Sequence, residues 1–219
     1  MLNVSRLSCV WSILFCLLAT LAGPAAQAQT QSTALNRQLG RIDLSVSGIG
    51  VFNRPSTGTV TVNAQPTPLT ITPGNTLGAL VTLRYIDKPW IGFVGNFSYA
   101  RYTEKFSTIG GVQHNAREYT LGYVAHTPPV LGIRPFVSIG AGTTAFRPTP
   151  GGGLGLLEQA RATYYYSAGA ETTLGSPHFG VRAQIRQAFF LAPDYGQNYL
   201  TILKPTSTFE PLFGFFVRF

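Results

Sequence analysis

From Arg41 onward the chain alternates apolar and polar side chains with a period of two. Successive side chains leave a strand on opposite faces, so this is the pattern of strands with one apolar face. Residues 41–52 put Ile42, Leu44 and Val46 on one face and Asp43, Ser45 and Ser47 on the other. Gly48 and Gly50 then blur the phase and read as a bulge. Residues 77–85 set Leu77, Ala79, Val81, Leu83 and Tyr85 against Gly78, Thr82 and Arg84. Residues 90–101 set Ile91, Phe93, Phe97 and Tyr99 against Gly92, Asn96 and Ser98, and residues 116–126 set Tyr119, Leu121, Tyr123 and Ala125 against Glu118, Thr120 and Gly122. Four more segments (133–146, 162–174, 179–189 and 209–219) repeat the alternation and bring the number of predicted strands to eight. Most are near the 9–11 residues that a tilted membrane strand needs.

The connections alternate in length. Long segments (53–75, 102–115, 147–161 and 190–208) alternate with short turns (86–89, 127–132 and 175–178). Outer-membrane barrels pair short periplasmic turns with long extracellular loops. Lipid offers no partner to backbone N–H and C=O groups, so a spanning sheet must close on itself. Eight strands make a barrel whose interior is just filled by side chains. The pattern therefore predicts an all-β fold: an eight-stranded antiparallel transmembrane β-barrel with short periplasmic turns and four long extracellular loops.

Composition narrows the alternatives. Charged residues are 11% of the chain, against about 25% in a soluble domain, too few to coat one. Hydrophobic residues are 45% and aromatic ones 12%, ample to drive burial, which argues against disorder. A soluble lipocalin-like barrel with the phase inverted is the rival. Its solvent face would be mostly Gly, Ser and Ala, which suits water poorly. Tyr85, Trp90, Tyr119, Phe179, Phe209 and Phe219 also collect at strand ends, as interfacial girdles do.

The first 28 residues read as a secretory signal: one positive charge at Arg6, an apolar run over 7–23, then Pro24 and the small triplet Ala26-Gln27-Ala28. Cleavage is expected after Ala28, leaving a short periplasmic segment (29–40) and the barrel (41–219). Cys9 and Cys16 fall inside the signal, so no disulfide framework is available to the mature chain. Cys16 follows Phe15, a poor context for lipoprotein anchoring. Loss of Arg6 leaves fifteen basic and eight acidic residues, a net +7. The basic residues are scattered and the chain is exported, so anionic lipid is the expected partner and nucleic acid is not.

The chain stops at Phe213-Gly214-Phe215-Phe216-Val217-Arg218-Phe219. Phe213, Phe215 and Val217 on one face and Phe219 at the end resemble the terminal strand by which Gram-negative outer-membrane proteins are sorted. With a signal peptide and eight amphipathic segments in all, the mature chain resembles the small outer-membrane β-barrel superfamily, the class of the OmpA transmembrane domain and OmpX. That resemblance implies bacterial outer-membrane location, contact with lipopolysaccharide, recognition by the barrel-assembly machinery, and a monomer.

Some members of this superfamily modify lipid, and the deacylases carry a His-x-Ser motif. Here His114, His126 and His178 are followed two residues on by Ala116, Pro128 and Gly180, which does not fit. His114 falls in a predicted loop, and His126 and His178 at predicted turns, so all three read as solvated or interfacial. No two histidines have a metal-ligand spacing. The run Gly151-Gly152-Gly153-Leu154-Gly155 lacks the Lys-Ser/Thr of a phosphate loop and reads as a mobile surface loop. Leu154, Leu156 and Leu157 beside it either pack on neighbouring loops or form a contact patch. No catalytic, cofactor or metal residues are assigned.

The inward charges are the candidate site. By phase Asp43, Arg84, Glu118, Arg134, Glu171, Arg182, Arg186, Glu210 and Arg218 point into the lumen. A lone buried ion is costly, so these charges are expected to pair and plug the barrel. The expectation is a non-enzymatic barrel with a structural or surface-interaction role. A lipid-modifying enzyme and a narrow channel are the alternatives.

Overall fold

The computed structural model describes residues 34–62 and 64–219. The predicted signal peptide, with Cys9 and Cys16, lies outside the described residues, as do residues 29–33 of the 29–40 segment. A short helix α1 (Ala34–Leu39) precedes ten strands: β1 (Ile42–Asn53), β2 (Ser56–Val62), β3 (Gln65–Pro73), β4 (Thr76–Lys88), β5 (Ile91–Phe106), β6 (Gly110–His126), β7 (Arg134–Pro148), β8 (Gln159–Ser176), β9 (Phe179–Leu191) and β10 (Pro205–Arg218). Eight of them close into one antiparallel barrel in which each pairs with its neighbours and β1 pairs with both β4 and β10. The eight strands therefore follow the eight alternating segments of the sequence.

The apolar face of the alternation is on the outside. Leu77, Leu121, Ile139 and Phe213 are all more than half exposed on the outer wall, a surface that lipid satisfies and water does not. Pairs such as Phe93–Tyr123 and Phe97–Tyr119, with ring centroids 5.2 and 5.0 Å apart, pack along it with their rings tilted. The register slips near the short turns, at Ile86/Lys88 and at Thr173/Ser176. We call that end lower and the end with long connections upper.

Three sequence expectations change in form. First, Gly48 and Gly50 make no bulge: β1 and β10 stay in one register from Asp43↔Arg218 to Ile49↔Leu212. The phase persists, so the glycines face outward while Ile49 and Val51 turn inward and are buried. Second, the connection over 53–75 carries a folded hairpin, β2–β3, whose Ile71 continues onto Phe106 of β5. Third, the connection over 102–115 is mostly wall: β5 and β6 pair up to Phe106↔Gly110 and turn in three residues. Gly110 has φ +91°, a conformation that costs a residue without a Cβ little.

The Gly151–Gly155 run is a turn tied down by backbone bonds. Gly152 and Gly153 N–H donate to the Thr149 carbonyl, and Gln113 N–H donates to that of Gly152 at 2.8 Å. Leu156 packs toward the core while Leu154 and Leu157 stay exposed.

Candidate functional site

The interior holds two ionic clusters and, above them, an apolar one. The lower cluster is built on Arg182 of β9. Its guanidinium reaches both Asp43 carboxylate oxygens at 3.1 Å, Glu171 Oε2 at 2.8 Å and Ser45 Oγ at 2.9 Å. Arg84 donates to Glu171 at 3.2 Å, and Arg218 to its other oxygen at 3.2 Å. Two aromatic plates bracket the guanidinium groups: Arg84 lies 4.2 Å from the centroid of Phe136, and Arg182 5.0 Å from that of Phe216. Arginine suits this place, because its planar fork takes carboxylates edge-on while its face stacks on a ring.

The second cluster lies higher. Arg186 bridges Glu118 and Glu210 with short bonds. Thr208 donates to Glu210 at 2.6 Å, and Arg186 stacks 4.5 Å from the centroid of Tyr165. Tyr165 in turn accepts from Asn96 at 2.9 Å. Serine and threonine rungs complete the wall, Ser138–Ser167 and Thr144–Thr163, each at 2.7 Å. The lower cluster sets three arginines against two acids; the upper sets one arginine against two. The two imbalances cancel: four arginines stand against four acids inside the wall.

Eight of the nine predicted inward charges are in these clusters. Arg134 stands apart: half-buried at the lower rim, it donates to the Pro89 carbonyl. It sits at the first residue of β7, where the wall ends and its side chain reaches across the mouth.

Above Arg186 the interior turns apolar. Ile49, Val51, Leu80, Tyr102, Phe146 and Leu212 are buried there. Leu69 and Ile71 of the hairpin and Leu200 of the β9–β10 connection close over them. A cavity of about 30 Å³ remains between Glu118, Glu210 and this core, room for about one water.

One polar group lies inside the cap. Tyr195 Oη donates to Glu104 Oε2 at 3.1 Å and lies 2.8 Å from His114 Nδ1. With the hydroxyl proton on Glu104, Nδ1–H is the donor to Tyr195, which leaves His114 Nε2 buried without a partner. The outward residues at this level are Arg101, Thr103 and Lys105, polar groups above the aromatic rows, so the group lies outside the membrane-spanning wall. Burial raises the Glu104 carboxyl to about 8, against the hydrogen bond from Tyr195, which favours the ionised form. Burial lowers His114 to about 4 and pushes the Tyr195 phenol up. All three are neutral near pH 7.

The histidine reading therefore needs correction. His114 and His126 are not solvated: both are inward on β6 and buried, one in the cap and one 3.8 Å from Glu171. His178 is exposed at the β8–β9 turn, with Nδ1 2.9 Å from the Arg218 carbonyl. The cap group is hidden in the sequence because residues 102–115 read as a long connection: outward Thr103 and Lys105 are polar, so the apolar face that marks a wall strand is missing there. The usable signal was phase: Arg101, Thr103 and Lys105 share one face, and Tyr102, Glu104 and Phe106 the other.

The residues read as an assembly signal, Phe213, Phe215, Val217 and Phe219, all lie exposed at the β10 end of the wall. Phe215 stacks on Phe179 at 5.8 Å.

No protein-family model and no curated protein matches the chain. Solved structures do. The outer membrane protein OprG from Pseudomonas aeruginosa aligns with 81% of this chain and 95% of its own, at 12% identity and a TM-score of 0.57. Neisserial surface protein A aligns with 81% and 97%, at 12% identity and a TM-score of 0.54. The outer membrane protein AlkL, solved in lipid bilayers, aligns with 90% and 95%, at 16% identity and a TM-score of 0.51. At these identities the likeness is one of fold: the chain is built as an eight-stranded outer-membrane barrel.

Proposed function

We propose, from a chain with the fold of the small outer-membrane barrels, that this is a closed outer-membrane barrel acting through its outer surfaces. The observation that carries the reading is closure of the interior at three levels: the Arg182 cluster, the Arg186 cluster and the apolar cap. A solute path would have to break ion pairs that hold each other out of water, which is costly. The wall faces lipid, and the upper rim faces the cell exterior. There the hairpin presents Thr57, Thr59 and Thr61, all exposed, as an uncharged surface on its edge strand β2. The role is structural or one of surface contact, and the terminal Phe213, Phe215, Val217 and Phe219 serve assembly into the membrane.

The histidines argue against lipid hydrolysis. A base acting on an outer-leaflet lipid must reach the outer wall near the upper rim. His114 and His126 face inward, and His178 is at the lower end. Conductance in planar bilayers tests the reading. The mature barrel is expected to give no discrete current steps; steady steps at neutral pH would make it a channel instead.

A further inference from the structure

On the outer wall of β5–β7 the residues change character row by row. Phe97 pairs with Tyr119, and below them the wall is apolar. One row higher, about 7 Å along the strand, Tyr99 pairs with Arg117. One row higher again, Asn115 lies between Arg101 and Arg147 in a continuous register. Asn115 Oδ1 accepts from Arg101 Nε at 2.7 Å and from the Tyr99 hydroxyl at 2.9 Å, which fixes that corner of the ledge. Arg117 has no ion-pair partner among the described residues. Arg147 has only Glu158 at 3.7 Å, both side chains more than half exposed. Such a surface pair is weak and leaves the arginine available.

Directly beneath this ledge the wall is hollowed. A groove of about 570 Å³ runs over Leu83, Gly95, Phe97, Tyr119, Leu121 and Ala141. It is hollow because Gly95 and Ala141 bring almost no side chain to a surface that is otherwise Leu, Phe and Tyr. Above the ledge a second, polar cleft of about 340 Å³ continues over Asn115, Arg117, Arg147 and Thr149. The Arg117 row loses its charge at β7: it continues there as Ala145 and on β8 as Ala160.

We propose that this wall binds one phosphorylated glycolipid of the outer leaflet, lipopolysaccharide in chemical class. An acyl chain fills the groove, a phosphate sits on Arg117 and Arg147 with Arg101 beside it, and the sugar enters the cleft above. Charge complementarity selects an anionic head, because three arginines stand over an apolar trough with one exposed acid among them. The polar cleft beyond the ledge selects a head larger than a phosphate. The proposal rests on the outer-membrane reading above.

The test uses the mature barrel reconstituted in phosphatidylcholine nanodiscs, with lipopolysaccharide added and retained lipid counted by native mass spectrometry. Heat-modifiable migration on gels reports separately whether each variant is a folded membrane barrel. Arg117→Ala with Arg147→Ala is expected to weaken retention about fivefold per arginine. Gly95→Leu is expected to weaken it by filling the groove. A Cβ there meets Leu121 Cδ2 at 3.4 Å, ordinary contact, so the wall accepts it. Arg54→Ala, at the exposed base of the hairpin, is expected to change nothing. Unchanged retention in both groove and ledge variants, with the folded barrel intact, overturns the site. Equal competition by phosphatidylglycerol overturns the glycolipid assignment. A chain that never forms a heat-modifiable barrel overturns the outer-membrane reading itself.

Discussion

Below Arg186 the inward side chains of β1, β4 and β9 are Asp43, Ser45 and Ser47, then Thr82 and Arg84, then Arg182 and Gln184. Above that level the same strands turn inward Ile49 and Val51, Leu80, then Ala188 and Phe190. The two halves close the same lumen by different means. In the lower half each charge is held by a specific partner, and losing one strands another in a dry place. In the upper half the contacts are mostly non-directional, and the seal is shared between wall and cap. The difference teaches where strength is concentrated: at single residues below, and over a surface above. It also assigns roles. The lower half is wall alone, whereas the upper half is also covered by a hairpin and a connection packed onto it.

The largest effect expected is in the lower half. Arg182→Ala leaves Asp43 without its bidentate partner and Glu171 with two arginines of three, at a cost of about 3–5 kcal/mol to the whole barrel. Urea unfolding in lipid vesicles, followed by loss of the heat-modifiable form, is expected to show the drop as one cooperative shift. A change below 1 kcal/mol would mean the cluster is wet and the contrast false.

Ile71→Ala removes a buried hairpin contact, worth about 2–5 kcal/mol by the usual cavity rule. That cost is expected to fall on the cap alone. Limited proteolysis should cut between Ser56 and Pro73, while the barrel's urea midpoint stays where it was. A matching fall in the midpoint would show that cap and wall unfold as one unit.

The cap's pH response comes from Glu104 and His114. Glu104 rises from 4.5 to about 8 on folding, so its contribution is complete below 4.5 and is lost as pH climbs to about 8. His114 falls from 6.5 to about 4, so its contribution is complete above 6.5 and is lost as pH drops to about 4. The cap is therefore tightest between about pH 4.5 and 6.5. Between 6.5 and 8 it is expected to lose about 2 kcal/mol, read as faster amide exchange at Tyr195 and Gly196. Glu104→Gln should flatten this alkaline arm; an arm that persists would assign it to another group.

Arg218→Ala gives the smallest effect, about 0–1 kcal/mol. Its side chain is 26% exposed at the lower mouth, and Glu171 keeps Arg84 and Arg182. A loss as large as that of Arg182→Ala would extend the dry cluster to the rim.

The contrast also explains what the sequence reveals. Wall phase is legible wherever lipid-facing apolar residues oppose Gly, Ser, Thr or charge, as at Val181, Ala183 and Ile185 against Arg182, Gln184 and Arg186. It fades where the interior itself turns apolar. Ile49 and Val51 follow Gly48 and Gly50, so the apolar residues change face while the backbone register does not, and the pattern mimics a bulge. The hairpin is hidden for a related reason. Pro66, Pro68 and Pro73 argue against a central strand, but β2–β3 is a ribbon at the edge of the sheet, where proline is tolerated. The ion pairs are legible as charges on the inner face and not as pairs, because Arg182 and Asp43 are 139 positions apart and only barrel closure brings them together.

Solvent access between the two clusters bears most directly on closure. Thr120 faces inward, is 3% exposed and lies next to Glu118, and the mature chain as read here has no native cysteine to interfere. In the folded Thr120→Cys barrel a membrane-impermeant maleimide is expected to leave position 120 unlabelled while labelling Thr59→Cys on the hairpin within minutes. Thermal unfolding should expose both. Labelling of position 120 in the folded barrel as fast as position 59 would show an open, watered lumen and contradict the account.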